Sequence, residues 1–290
     1  MKKQLLFAFL LLTPGIRTLG QAHLKSVQVT SVWAPTNVKI DGKLNEWEDN
    51  FQAYNKSTKL FYTLSNNGKY LYLAVTTTDA ETNTKFAAGG ITLVINTGGR
   101  KKDKGAFILT YPVIASASRR GGGRFGRQQS GASTGTTDTA AINSAHRQLI
   151  ATSKEIKVFG FKDVDDTLIS IYNEYGIKTA IGYDTLGNYG YEVAIPLKML
   201  GLSVDNAPEI AYNIKINGLQ INFNSSLQGK MATDAFQSGG FGGGRGGRSG
   251  GGRTGGGDGG KSATDTDYLD LTSPTDFWGK YTLAKNKVNQ

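Results

Sequence analysis

Between Tyr189 and Ile195 every second residue is large and apolar (Tyr191, Val193, Ile195), and the same beat returns at Ile210, Tyr212, Ile214 and Ile216. A side chain that comes back to one side at every second position belongs to an extended strand with a single buried face. Similar short runs occur at 59–64 and 69–78, on either side of Asn66-Asn67-Gly68, a strong hairpin turn. Runs at 91–96 and 105–111 flank a charged turn from Gly98 to Lys104, and others lie at 155–161, 167–172, 177–183 and 277–283. Many short strands separated by turns predict an all-β chain, an antiparallel β-sandwich of jelly-roll type. Helix is expected only as one short turn after Pro196 and a segment near 141–151.

Two tracts interrupt this pattern. Residues 119–137 read RRGGGRFGRQQSGASTGTT and residues 238–262 read SGGFGGGRGGRSGGGRTGGGDGGKS. Glycine carries the largest backbone entropy and has no side chain to bury, so both are expected to be long disordered loops. Strand-like sequence of the same kind resumes after each, which predicts one interrupted domain over 23–290.

The tracts also account for the charge. The formal net charge is +10. Lys2, Lys3 and Arg17 belong to an N-terminal stretch with its own character, and without them +7 remains. Arg119, Arg120, Arg124 and Arg127 supply four of these. Arg245, Arg248, Arg253 and Lys261 against Asp258 supply the other three, so the rest of the chain balances.

That N-terminal stretch sets a basic start before the apolar run Leu5 to Leu12, which Thr13, Pro14 and Gly15 end. Small residues follow at Gly20 and Ala22. The layout predicts a cleavable export signal over 1–22, too short to span a bilayer, and hence a periplasmic, outer-surface or secreted protein. No other stretch is apolar enough for a transmembrane segment. Cysteine is absent, which removes thiolate chemistry, and His146 is the one histidine beyond the export junction.

Several segments, in order, resemble the family 9 carbohydrate-binding modules and their DOMON-like relatives. They are VKIDGKLNEWED (Val38 to Asp49), NNGKYLYLAVTTTDAET, ITLVINTGG, YEVAIPLKMLGL (Tyr191 to Leu202), IAYNIKING and FWGKYTL. The resemblance implies a sandwich fold and a role in holding carbohydrate. This chain departs from it at Thr92 and Gly218, where relatives often carry an acidic residue, so fold transfers more safely than ligand.

Candidate site residues follow from chemistry. Sugars pack their apolar faces on aromatic rings while polar side chains take the hydroxyls. Trp33, ahead of the first strand, and Asp79, ending one, are the ligand-binding candidates, with outward-facing tyrosines equally open. Trp47 and Trp278 lie inside fold-defining motifs and are expected in the core. Asp163, Asp165 and Asp166 could offer carboxylates to calcium but lack the glycine and distal glutamate of a dedicated loop, so a solvated turn is the favoured reading. Gly255 to Ser262 fits a phosphate-loop pattern formally, yet a glycine tract precedes it where a strand is required. Met199, Met231 and His146 are the available axial haem ligands and form no motif. No paired-carboxylate or nucleophile motif suggests catalysis.

The sequence therefore points to a non-catalytic exported module that binds polysaccharide or cell-surface glycan, with no cofactor apart from possible calcium. The alternatives are a surface protein whose basic loops touch anionic envelope material, or an accessory to glycoside hydrolysis. Arginine-glycine runs can hold nucleic acid, but export argues against that partner.

Overall fold

The computed structural model describes residues 24–47, 51–114, 139–219 and 270–286. The expected export segment 1–22, both tracts (119–137 and 238–262) and Met231 lie outside the described residues.

Eleven strands are described: β1 (Ala53–Asn55), β2 (Leu60–Asn66), β3 (Tyr70–Thr77), β4 (Ile91–Asn96), β5 (Phe107–Tyr111), β6 (Glu155–Phe159), β7 (Leu168–Ser170), β8 (Lys178–Tyr183), β9 (Tyr189–Pro196), β10 (Ile210–Ile216) and β11 (Thr275–Tyr281). They form a five-stranded sheet ordered β1-β2-β3-β9-β8 and a six-stranded sheet ordered β11-β10-β4-β5-β6-β7. Every named pairing is antiparallel. The expected all-β sandwich is the architecture found.

The core lies between the sheets and follows the period-2 pattern. Leu71, Leu73 and Val75 of β3 and Tyr191, Val193 and Ile195 of β9 meet Leu93 and Ile95 of β4 and Tyr212, Ile214 and Ile216 of β10, all buried. The hydroxyls of Tyr62 and Tyr212 join across this core at 2.9 Å, and the Gln28 amide donates to Tyr62 at 2.9 Å. Gln28 belongs to the segment 24–34, which closes one edge of the sandwich. Its side chain donates to the Leu64 carbonyl and accepts from the Leu64 amide, while Ser31 donates to the Thr282 carbonyl.

Two helices join the strands. α2 (Thr139–Thr152) covers the segment expected near 141–151. α1 (Ala80–Gly89) departs from the expectation that Asp79 merely ends a strand. Phe86 is its one large buried apolar residue, so it offers no helical period to read. Its start is set locally instead: Asp79 caps it by accepting from the Thr82 amide and hydroxyl, both at 2.9 Å. The turn after Pro196 is a 3-10 turn over Leu197–Leu200. Gly201 closes it in the left-handed region (φ 65°), donating to the carbonyls of Leu197 and Lys198.

A second, smaller core decides which outer faces are open. Residues 34–47 lie over the outside of the five-stranded sheet. There Ala34 and Trp47 pack with Tyr72, Ala74 and Ala194, flanked by Val38, Ile40 and Leu44. Gly182 of β8 and Gly190 of β9 are direct cross-strand partners and form its floor. A Cβ on either would meet the Gly42 carbonyl oxygen at 2.4 or 2.6 Å, and Gly42 itself has φ +81°. Only glycines permit this approach.

The candidate binding face

With one outer face roofed, the outer face of the six-stranded sheet is the one to examine. Phe277, Gly279 and Tyr281 of β11 point inward, and a Cβ at Gly279 would strike the Tyr212 ring. Trp278, between them, therefore points outward. It is half-buried, not a core residue as expected from its motif. The motif carries the fold through Phe277, Gly279 and Tyr281; its tryptophan belongs to the opposite face.

Register places Trp278 at the head of a straight cross-strand row. Trp278 pairs with Asn213, Asn213 with Val94, Val94 with Ile108 and Ile108 with Phe159. The row crosses β11, β10, β4, β5 and β6. Val94 and Asn213 are buried in its floor, Ile108 is half-buried, and Phe159 is 65% exposed. A polar row lies beside it. Asp276 pairs with Lys215, Lys215 with Thr92, Thr92 with Thr110 and Thr110 with Lys157. The two rows are tied together where the Asn213 amide donates to Asp276 Oδ2 at 2.6 Å, and within the polar row the Thr92 and Thr110 hydroxyls meet at 2.8 Å. Apolar rings and rigidly held amide, carboxylate and hydroxyl groups thus alternate on one face.

The remaining candidates lie elsewhere. Trp33 is half-buried and bridges Asn66 at the far end of β2, where the Ala34 amide donates to the Asn66 carbonyl at 2.8 Å. Asp79 sits by the opposite end of β2, next to Lys59 (Nζ to Oδ2, 3.0 Å). Seven residues of extended strand, about 23 Å, separate those ends, so the structure does not join Trp33 and Asp79 in one site. Burial alone would raise the Asp79 carboxyl, but the Thr82 amide and Lys59 outweigh it and hold the group below its ordinary range. Lys59 is correspondingly raised, the Asp79 hydrogen bond outweighing its own desolvation.

Asp163, Asp165 and Asp166 are all exposed on the stretch between β6 and β7. Among the described residues no three histidine, aspartate or glutamate side chains converge as a metal ion would require. His146 of α2 stacks on the Tyr183 ring, centroids 3.4 Å apart, and Met199 is half-buried against the core in the turn after β9. Trp47 is buried, as expected.

Glu192 is the residue the sequence reading passed over. It lies on β9 under the roof, fully buried, with Oε2 accepting from the Gly42 and Asp41 amides (2.8 and 3.1 Å) and Oε1 from Trp47 Nε1 (2.8 Å). Burial pushes its carboxyl up to about 7 against the lowering effect of those three donors. A perturbed buried carboxylate can mark a catalytic site. Here both oxygens are spent on the roof, and the group acts as a fastener. The signal was available: a lone acid within an otherwise apolar strand.

Among the described residues no helix is long and apolar enough to cross a membrane. No protein-family model matches the chain, and no curated protein matches it at a significant level.

Proposed function

We propose that this protein is an exported, non-catalytic glycan-binding module that holds a polysaccharide on the outer face of its six-stranded sheet. The row headed by Trp278 carries the reading. An aromatic ring beside the exposed Asp276, which the buried Asn213 amide holds in place, with half-buried Thr92 and Thr110 in the neighbouring row, offers what a sugar chain needs. Its rings present apolar faces to stack and hydroxyls that require fixed partners. A sheet face suits an extended polymer better than a deep cavity would, because successive sugar units lie along successive strands.

The segments resembling family 9 carbohydrate-binding modules support the same reading, and among the described residues the roof over the five-stranded sheet leaves this face as a broad surface, with Trp278 and Phe159 at the two ends of its row. The test is affinity electrophoresis through gels containing a panel of neutral and acidic polysaccharides. At least one should retard the protein, and Trp278→Ala should reduce that retardation tenfold or more at an unchanged fold, as judged by circular dichroism. A panel that retards nothing, or retardation that survives Trp278→Ala, would overturn the proposal.

A further inference from the structure

Although charge balances over most of the chain, it is not evenly spread over the surface. The turn between β4 and β5 carries Arg100, Lys101, Lys102 and Lys104 against a single acid, Asp103. Among the described residues, ion pairs involve Lys59, Lys85 and Lys280, and none of the four cations of this turn. Arg100, Lys102 and Lys104 line one surface hollow together with Gly98, Gly105 and Asn96.

This turn is built, not merely charged. Asn96 is 4% exposed, and its side chain holds the turn from within. Its Oδ1 accepts from the Gly98 amide (3.1 Å) and the Arg100 amide (3.4 Å), and its Nδ2 donates to the Lys102 carbonyl (3.0 Å) and, more weakly, toward that of Lys104 (3.5 Å). All of these contacts go to backbone. The cationic side chains take no part in their own scaffolding and are free to meet a ligand.

Position completes the argument. Asn96 stands two residues along β4 from Val94, about 7 Å away, on the same outward face. It pairs with Ala211, which in turn pairs with Lys280, two residues from Trp278 on β11. The cationic hollow thus adjoins the middle of the row, beside Val94 and Ile108 and two strands from Trp278, about 10 Å across the sheet.

We propose that the ligand is an acidic polysaccharide, its rings resting on the row headed by Trp278 and its uronate carboxylates or sulfate esters read by Arg100, Lys102 and Lys104. The inference rests on the glycan-binding reading above and adds the charge class of the ligand. Guanidinium and ammonium groups held beside a stacking surface discriminate charged from neutral chains through charge-assisted hydrogen bonds. Ring stacking alone is blind to that difference.

The experiment compares retardation of the full chain by alginate and polygalacturonate (carboxylates), chondroitin sulfate (sulfate esters with carboxylates), and neutral xylan and hydroxyethylcellulose, at low salt. Inorganic polyphosphate serves as an anion without sugar rings. At least one acidic polysaccharide should bind tenfold or more tightly than the neutral ones. The triple variant Arg100→Gln/Lys102→Gln/Lys104→Gln should lose that preference while keeping its melting temperature, because the Asn96 contacts involve backbone only. The carboxylate-only and sulfated arms identify the anion. Neutral chains binding as well as acidic ones, or a preference that survives the triple substitution, would overturn this inference and leave the glycan reading standing. Polyphosphate binding as strongly as the acidic glycans and indifferent to Trp278→Ala would reduce the hollow to bare charge and overturn it too. Retardation by none of the glycans would remove both proposals together.

Discussion

The indole Nε1 of Trp47 donates a 2.8 Å hydrogen bond to Oε1 of Glu192, joining residues 145 positions apart in the chain beneath the roof of the five-stranded sheet. The same carboxylate takes the Asp41 and Gly42 amides on its other oxygen. One side chain thereby gathers the Asp-Gly turn, the Glu-Trp pair and the strand Tyr189–Pro196, three stretches that had been read separately.

Glu192 predicts a definite dependence of stability on pH. Its carboxyl is raised from 4.5 to about 7 in the folded protein, chiefly by burial. The native state therefore binds more protons than the unfolded chain between those values, and this group's contribution is fully present below pH 4.5. It is lost as pH rises through 7. At about 1.4 kcal/mol per unit the change amounts to about 3 kcal/mol. Urea unfolding at intervals from pH 4.5 to 8 should show this decline, and Glu192→Gln should flatten it. An equal slope in the variant would mean that another group titrates.

Gly182→Ala tests the floor of the roof without backbone strain. Gly182 lies in regular strand, but a Cβ there would come within 2.4 Å of the Gly42 carbonyl oxygen. Neither partner is the end of a flexible side chain, so the roof must lift. The expected cost is about 2 kcal/mol or more, in the range of overpacked cores. Thermal melting measures it, and tryptophan emission should shift to the red as Trp47 gains water. A melting temperature equal to the wild type would show that the contact is absent.

Asp79 separates a cap from a ligand contact. Asp79→Ala removes the acceptor for the Thr82 amide at the start of α1 and should cost about 1 kcal/mol. Asp79→Asn keeps an acceptor and loses mainly the half-exposed Lys59 pair, worth little. Because the Asp79 carboxyl is held below its ordinary range, its contribution is present above the unfolded pKa and fades as pH falls through the folded one. The gap between Asp79→Ala and wild type should therefore narrow on acidification. Loss of glycan retardation in Asp79→Asn at unchanged stability would instead mark it as a binding residue.

Much of the fold was legible because its information is local. Asn67 shows why: its Oδ1 accepts the amides of Lys69 and Tyr70 at 2.8 Å, closing the β2–β3 hairpin within four residues. The turn after Pro196 closes at Gly201 just as locally. α1 was missed because its signal is a cap and an i,i+4 pair, Glu81 with Lys85, with no apolar stripe. Trp278 was misplaced because a motif reports that a strand belongs to the fold without telling which of its alternate residues faces in.

Taken alone, the sequence determined every described strand but β1, their turns and the residues that share each inner face, since a two-residue period is a property of the extended backbone itself. It could divide Glu192 from Tyr191 and Val193, and Trp278 from Phe277, but could not say what lay on the second side. That was decided only in three dimensions. The segment 34–47 crosses from its place ahead of β1 to cover β3, β8 and β9, burying Glu192, while the outer face of β11, β10 and β4 keeps Trp278 half-open. Whether an outward residue becomes a fastener or a surface depends on contacts between residues some 150 positions apart, and no periodicity within a strand encodes those.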